Sequence, residues 1–281
     1  MNTELTTITQ AEIDELAALT GAAPDTGGDR LPVLKVNYDS EDAAENRLPL
    51  GQMFITEQEI PVYAKSVRIR PLAMHYQYTD FDGDSNKMMN QTVLNTSFKQ
   101  EFLDEKGTVR CGRPDSKTYK EMAEERRKMY KNISCTRQVR CLVSYDGEDK
   151  DGNAISVCNV PAVLRLKGSN FMPFQDEFEK RLPRGRKFWD YWAEISLEKM
   201  KNGSVTYYVM HFDPDLNNPA PLDRDTIDTI KHFAAMVESD NAQIYSKHQS
   251  ALSKRTQDGS VYDSLDDGAD LDGEFDNEVP F

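Results

Sequence analysis

"ISCTRQVRCLVSYDGEDKDGNAISVCNVPAVLRLKG", residues 133–168, is the stretch whose reading decides the fold. Two runs rich in Val, Ile and Cys flank the turn-forming "GEDKDGN" at 147–153, which predicts a β-hairpin. In the first run Cys135, Val139 and Cys141 share parity, so they are expected as small core residues on one face of a strand. Working outward, "AKSVRIRPLAMHYQYTD" and "KMMNQTVLNTSF" flank "DFDGDSN" in the same manner. "KFWDYWAEISLEKM" and "SVTYYVMHFD" meet at Asn202-Gly203, the strongest short hairpin signal in the chain. Three hairpins make six strand candidates, the texture of an all-β barrel or sandwich.

Helical stretches interrupt and follow the strands. "DSKTYKEMAEERRKMYKN" (115–132) and "FMPFQDEFEKRL" (171–182) have helix-forming composition. "DRDTIDTIKHFAAMVESDNAQIYSKHQSAL" places Ile227, Ile230, Phe233, Ala234 and Val237 at helical spacing, so one face is expected to dock on the barrel or on a second copy. A short helix is also expected over residues 9–19, capped by Thr9 and stopped at Gly21.

The formal net charge of −14 is unevenly distributed. Residues 258–281 carry nine acids and no base, and residues 1–29 carry six acids and no base. The rest of the chain holds 33 acids against all 34 Lys and Arg, and residues 110–140 hold ten bases against four acids. A basic patch between acidic arms is a different object from a uniformly acidic protein. The acidic end segments cannot bury enough apolar surface to fold and are expected to be disordered. No apolar run approaches the roughly 20 residues that cross a bilayer, and the N-terminus lacks the pattern of a signal peptide, so a cytoplasmic location is expected. Four cysteines without a C-x-x-C pair read as reduced thiols.

P-loop, G-x-S-x-G and H-E-x-x-H signatures are missing, and the four histidines are scattered. The cysteine spacing is poor for zinc, and "DFDGDSN" lacks the helical flanks and distal Glu of a calcium loop. No enzymatic activity, cofactor or metal is expected. The positive signal is bases beside aromatics. Arg68, Arg70, Tyr76 and Tyr78 share parity and are expected on one strand face, with Val67, Ile69 and Ala73 on the other. Arg165, Lys167 and Phe171 form a second group, and Arg184, Arg186, Lys187 and Trp192 a third. Arg110, Arg113 and Arg140 belong to the basic stretch. Stacking contributes about 1 to 3 kcal/mol per base whatever the sequence, while Lys and Arg supply a salt-sensitive attraction to phosphate. The set describes a groove for single-stranded nucleic acid. Against it, aromatics are ordinary strand formers, Glu121, Glu124 and Glu125 suit a solvated helix, and Asp190 and Glu194 beside Trp192 would repel phosphate.

The chain ends "DNEVPF". This is similar to the acidic tail tip Asp-Asp-Asp-Ile-Pro-Phe of bacterial single-stranded DNA-binding proteins, which start their barrel near residue 1 and have no counterpart of the long C-terminal helix. The whole layout resembles phage single-stranded DNA-binding proteins, and "PVLKVNYDS", "CGRP" and "VLRLKGSNFMPF" are similar to marine-phage members. The resemblance implies an OB-like Greek-key barrel with inserted helices, a C-terminal helix and disordered acidic ends. Its boundaries are an acidic arm at 1–30, the DNA-binding domain at 31–220, the helix at 221–252 and the tail at 253–281. Six strands exceed the five of a minimal OB-fold, so either an extended hairpin or a bulged strand is counted twice or the barrel is elaborated. The implied function is coating of single-stranded DNA in replication, recombination and repair, in the host cytoplasm if phage-encoded. Asp276, Glu278, Val279, Pro280 and Phe281 would recruit a polymerase, helicase or nuclease, and a homo-oligomer is possible. The alternative is an acidic adaptor or DNA mimic that does not bind DNA. A metal-dependent nuclease would need a carboxylate cluster that no motif singles out.

Overall fold

All three expected hairpins form. They are β3 (Val67–Asp82) with β4 (Lys87–Gln91), β5 (Ile133–Glu148) with β6 (Ala154–Leu166), and β7 (Ala193–Asn202) with β8 (Val205–Pro214). Two short strands precede them, β1 (Val33–Val36) and β2 (Met53–Ile55), so the described residues hold eight strands against the six expected. The structure, a computed structural model, describes residues 30–38, 50–97, 100, 102–107 and 116–258. The expected 9–19 helix, the acidic ends, Arg110, Arg113 and the tail tip from Asp276 to Phe281 lie outside the described residues.

The protein is mainly β. One sheet runs in the order β2-β1-β6-β5-β3-β7-β8, with β4 added to β3, and it curls strongly into a half-barrel. Neighbours are antiparallel except β1 and β6, which pair Val33 with Val163 and Leu34 with Leu164 in parallel. Bridges Met53↔Ala64 and Tyr63↔Glu148 carry the curl from β2 round to the end of β5. Gly147 is required there, because a Cβ would overlap the Tyr63 carbonyl.

The inner face holds the main core, including Leu34, Ile69, Val139, Cys141, Leu164 and Ile195, and a smaller cluster gathers around Tyr78 and Ile133. Residues 168–181 form a string of 3₁₀, α and π turns whose Phe174 and Phe178 are fully buried in that core, with Phe174 edge-on to Phe212. The same segment covers part of the outer edge of β8. The Met210 amide donates to Asn170 Oδ1 at 2.7 Å, the Phe212 amide donates to Glu177 Oε2 at 2.8 Å, and Asn170 Nδ2 donates to the Tyr208 carbonyl at 3.3 Å.

Helices α1 (Ser116–Glu121) and α2 (Glu124–Tyr130) realise the expected basic helical stretch. Helix α3 spans Arg224–Asp258, past the expected end at 252. It buries a narrow stripe of Thr226, Phe233, Val237 and Ile244, whereas Ala234, expected on the packed face, is exposed. Asn241 clamps the backbone of Leu94 through two hydrogen bonds, and His248 meets the Asp104 carbonyl at 2.7 Å, so the helix docks on the protein's own β3–β4 region. No helix among the described residues is long and apolar enough to cross a membrane.

Candidate nucleic-acid interface

The face expected to carry Arg68, Arg70, Tyr76 and Tyr78 together does not exist, because β3 contains a bulge. Pro71 pairs with Cys141, but the next pair is Ala73 with Arg140, leaving Leu72 as an extra residue. Proline has no amide to donate, so a ladder interrupted beside Pro71 follows from its chemistry. One extra residue reverses the parity of everything beyond it. Val67 and Ile69 face the core before the bulge, and Met74, Tyr76 and Tyr78 face inward after it. Arg68, Arg70, Ala73, His75 and Gln77 face outward with Arg140 and Gln138.

Four of the expected contact residues are internal, Tyr76 and Tyr78 because the bulge turns them inward, Arg70 and Arg140 because α3 and the segment before it cover the outer face there. Tyr76 and Tyr78 are buried, Tyr76 beside Phe171 and Tyr78 edge-on to Phe102 at 5.0 Å. Burial raises the Tyr76 phenol above its ordinary pKa, against the pull of Arg137. Arg137 is 1% exposed, lies 4.8 Å from the Phe171 ring centroid and 5.4 Å from that of Tyr76, and pairs with Glu179 at 2.9 Å. It pins the 168–181 segment to the barrel, and Phe171 acts as one wall of its aromatic box. Arg70 is buried at the junction of sheet and helix. It donates to the carbonyls of Trp189, Ala220 and Pro221 and to Thr226 Oγ1, over 2.7 to 3.3 Å. Arg140 is buried near Asp240 of α3, with Nη2 at 3.6 Å from its carboxylate. Burial, helped by the Arg140 charge, pushes the His75 imidazole down to about 4, so it is neutral at ordinary pH.

The remaining expected cations are exposed, and they fall into three places. On the outer face Arg165 pairs with Gln138, which in turn pairs with His75, and Lys167 follows at the end of β6. The parallel register that matches Leu34 to Leu164 brings Lys35 of β1 alongside Arg165. None of Lys35, Arg165 and Lys167 has a carboxylate within ion-pair distance among the described residues. Arg184, Arg186 and Lys187 occupy the exposed loop around Gly185, whose φ is +85, and Arg186 lies 3.9 Å from Asp190. Arg68 stacks over half-buried Trp192 at 5.5 Å, in a cleft of about 580 Å³ that also contains Arg181, Glu194, Asp213 and Asp215.

Charge decides between these places. In the cleft, Arg181 is neutralised by Asp213 at 2.9 Å and three carboxylates oppose two guanidinium groups. That balance disfavours phosphate in the cleft. The Lys35–Arg165–Lys167 strip has no such opposition and is the better surface for a polyanion. Lys35 is absent from the residues read from the sequence. Its outward parity in "PVLKV" is visible there, but its position beside Arg165 depends on a parallel pairing across more than 120 residues. The carboxylates of "DFDGDSN" serve their own turn, with Asp82 accepting from the Asp84 amide and the Ser85 hydroxyl. No group of three or more His, Cys, Asp or Glu side chains converges as a metal site among the described residues. Comparison of the chain with protein-family models, with curated proteins and with solved structures finds no match.

Proposed function

We propose that this protein binds and coats single-stranded DNA without strong sequence preference, as a non-enzymatic, OB-like member of the phage-type proteins that act in replication, recombination and repair. The observation that carries the reading is the strip of exposed cations without carboxylate partners on β1 and β6, joined in character by Arg184 and Lys187 on their loop. Unpaired cations on a sheet face attract phosphate without reading bases. In this reading the acidic ending recruits replication proteins through Asp276, Glu278 and the tip Val279-Pro280-Phe281. The burial of Arg70, Tyr76, Tyr78 and Arg140 favours a second reading, an acidic adaptor that binds protein and not DNA.

A mobility shift with single-stranded and double-stranded oligonucleotides at two salt concentrations separates the two. Preference for single strands supports coating, no shift supports the adaptor, and degradation with magnesium points to a nuclease. Replacing Arg165 and Lys167 by Ala should weaken binding equally for every sequence. It should also reduce the steepness of the log affinity against log salt plot by about 1.4, the slope of two phosphate contacts on a single strand. An unchanged slope with an intact fold would remove β6 from the interface.

A further inference from the structure

The strip of Lys35, Arg165 and Lys167 borders a cation that the fold leaves incompletely satisfied. Arg140 is only 4% exposed, yet its Nε and Nη1 have no hydrogen-bond partner among the described residues. Its ion contact, Nη2 to Asp240 Oδ2 at 3.6 Å, lies beyond hydrogen-bonding range, and the Asp240 side chain is half exposed. A buried guanidinium ordinarily has its donors met, because an unmet donor in the interior costs stability. Neighbouring groups do not supply the deficit. Arg165 stands diagonally across the β5–β6 ladder on the same face, two residue pairs beyond the Arg140↔Val163 pair, and repels Arg140. His75 is neutral, and Gln138 is turned to Gln77, to which its Nε2 donates at 2.6 Å.

We propose that Arg140 and Arg165 form a phosphate subsite for the nucleic-acid backbone, in which the Asp240 carboxylate of α3 occupies the anion position until a phosphodiester displaces it. This rests on the single-strand-binding reading above. Asp240 is suited to the exchange: it is loosely held and half exposed, and it sits on a helix held independently by Arg70 at Thr226, by Asn241 and by His248. Its release therefore requires a side-chain movement and no unfolding of α3. Helix α3 thus guards one end of the cationic strip with its own carboxylate, and each bound strand competes with an internal anion.

The test is oligo-dT affinity at low salt for the full chain. Asp240→Asn should raise affinity on the order of fivefold and steepen the salt dependence by about 0.7, one additional phosphate contact. Glu238→Gln, which removes an exposed carboxylate from the same helix, should do neither. Combining Asp240→Asn with Arg165→Ala should abolish the gain. The melting temperature of each variant establishes that the fold is intact. Equal small gains from Asp240→Asn and Glu238→Gln would mean only a general charge effect and would overturn the subsite. So would a wild-type affinity in Asp240→Asn, which would leave Asp240 a structural partner of Arg140. If the wild-type protein bound no single strand at all, the functional reading would fail, and the subsite with it.

Discussion

His211 sits between two carboxylates, with Nδ1 at 2.9 Å from Glu177 and Nε2 at 3.0 Å from Glu198. The hydrogen bonds to Glu177 and Glu198 raise its pKa above the ordinary value of about 6.5. The protonated form is therefore favoured by folding. Its contribution is complete below pH 6.5 and disappears as pH rises through the folded-state pKa. The urea midpoint should fall over that window, and His211→Gln should fall less; parallel curves for the two proteins would refute the linkage. Gly51 illustrates a different residue-level constraint. At φ +71 it lies under the Tyr208 ring, where a Cβ would collide, and Tyr208 also meets Tyr38 at 5.6 Å. Gly51→Ala should cost about 1 to 3 kcal/mol in denaturant titration, since both the backbone and the ring must shift. The sequence makes the exposed cations legible as Lys and Arg beside strands. It does not reveal which guanidinium groups are enclosed. Arg68 and Arg70 look equivalent by parity, and only the convergence of distant carbonyls on Arg70 distinguishes them.

At the scale of elements, the hairpins are readable because turn chemistry and alternation agree locally. Asp149 accepts from the amides of Asp151 and Asn153 and from the Asn153 side chain, which organises the turn at 149–153 with neighbouring residues. Strands β1 and β2 are harder, being four and three residues long and paired with each other and with distant β6. The bulge in β3 had a visible cause in Pro71, but the alternation on either side of it is continuous enough to suggest one face. Helix α3 is legible in existence and only partly in its docked face: Phe233 and Val237 are seated, Ala234 is not. Phe233→Ala should therefore destabilise the protein by about 3 to 4 kcal/mol, while Ala234→Ser should fall within about 0.5 kcal/mol of wild type. Equal effects would mean that the helix is not held by this stripe.

For the whole molecule, the separation of charge matters more than its total. Removing residues 259–281 takes away eight carboxylates and no base, moving the formal net charge from −14 to −6. If the proposed function is correct, this truncation should tighten binding to single-stranded DNA at low salt and abolish recruitment of replication proteins, whereas Phe281→Ala should lose recruitment alone. A truncated chain that bound no better and still recruited them would reduce the ending to a solubilising segment. A protein that lines a polymer is held at high local concentration, shoulder to shoulder with copies of itself. Under such crowding an open strand edge invites neighbours to zip together into aggregates. The side chains of Asn170 and Glu177 occupy the Met210 and Phe212 amides of the β8 edge, so under the proposed coating function crowding along a strand need not become precipitation there.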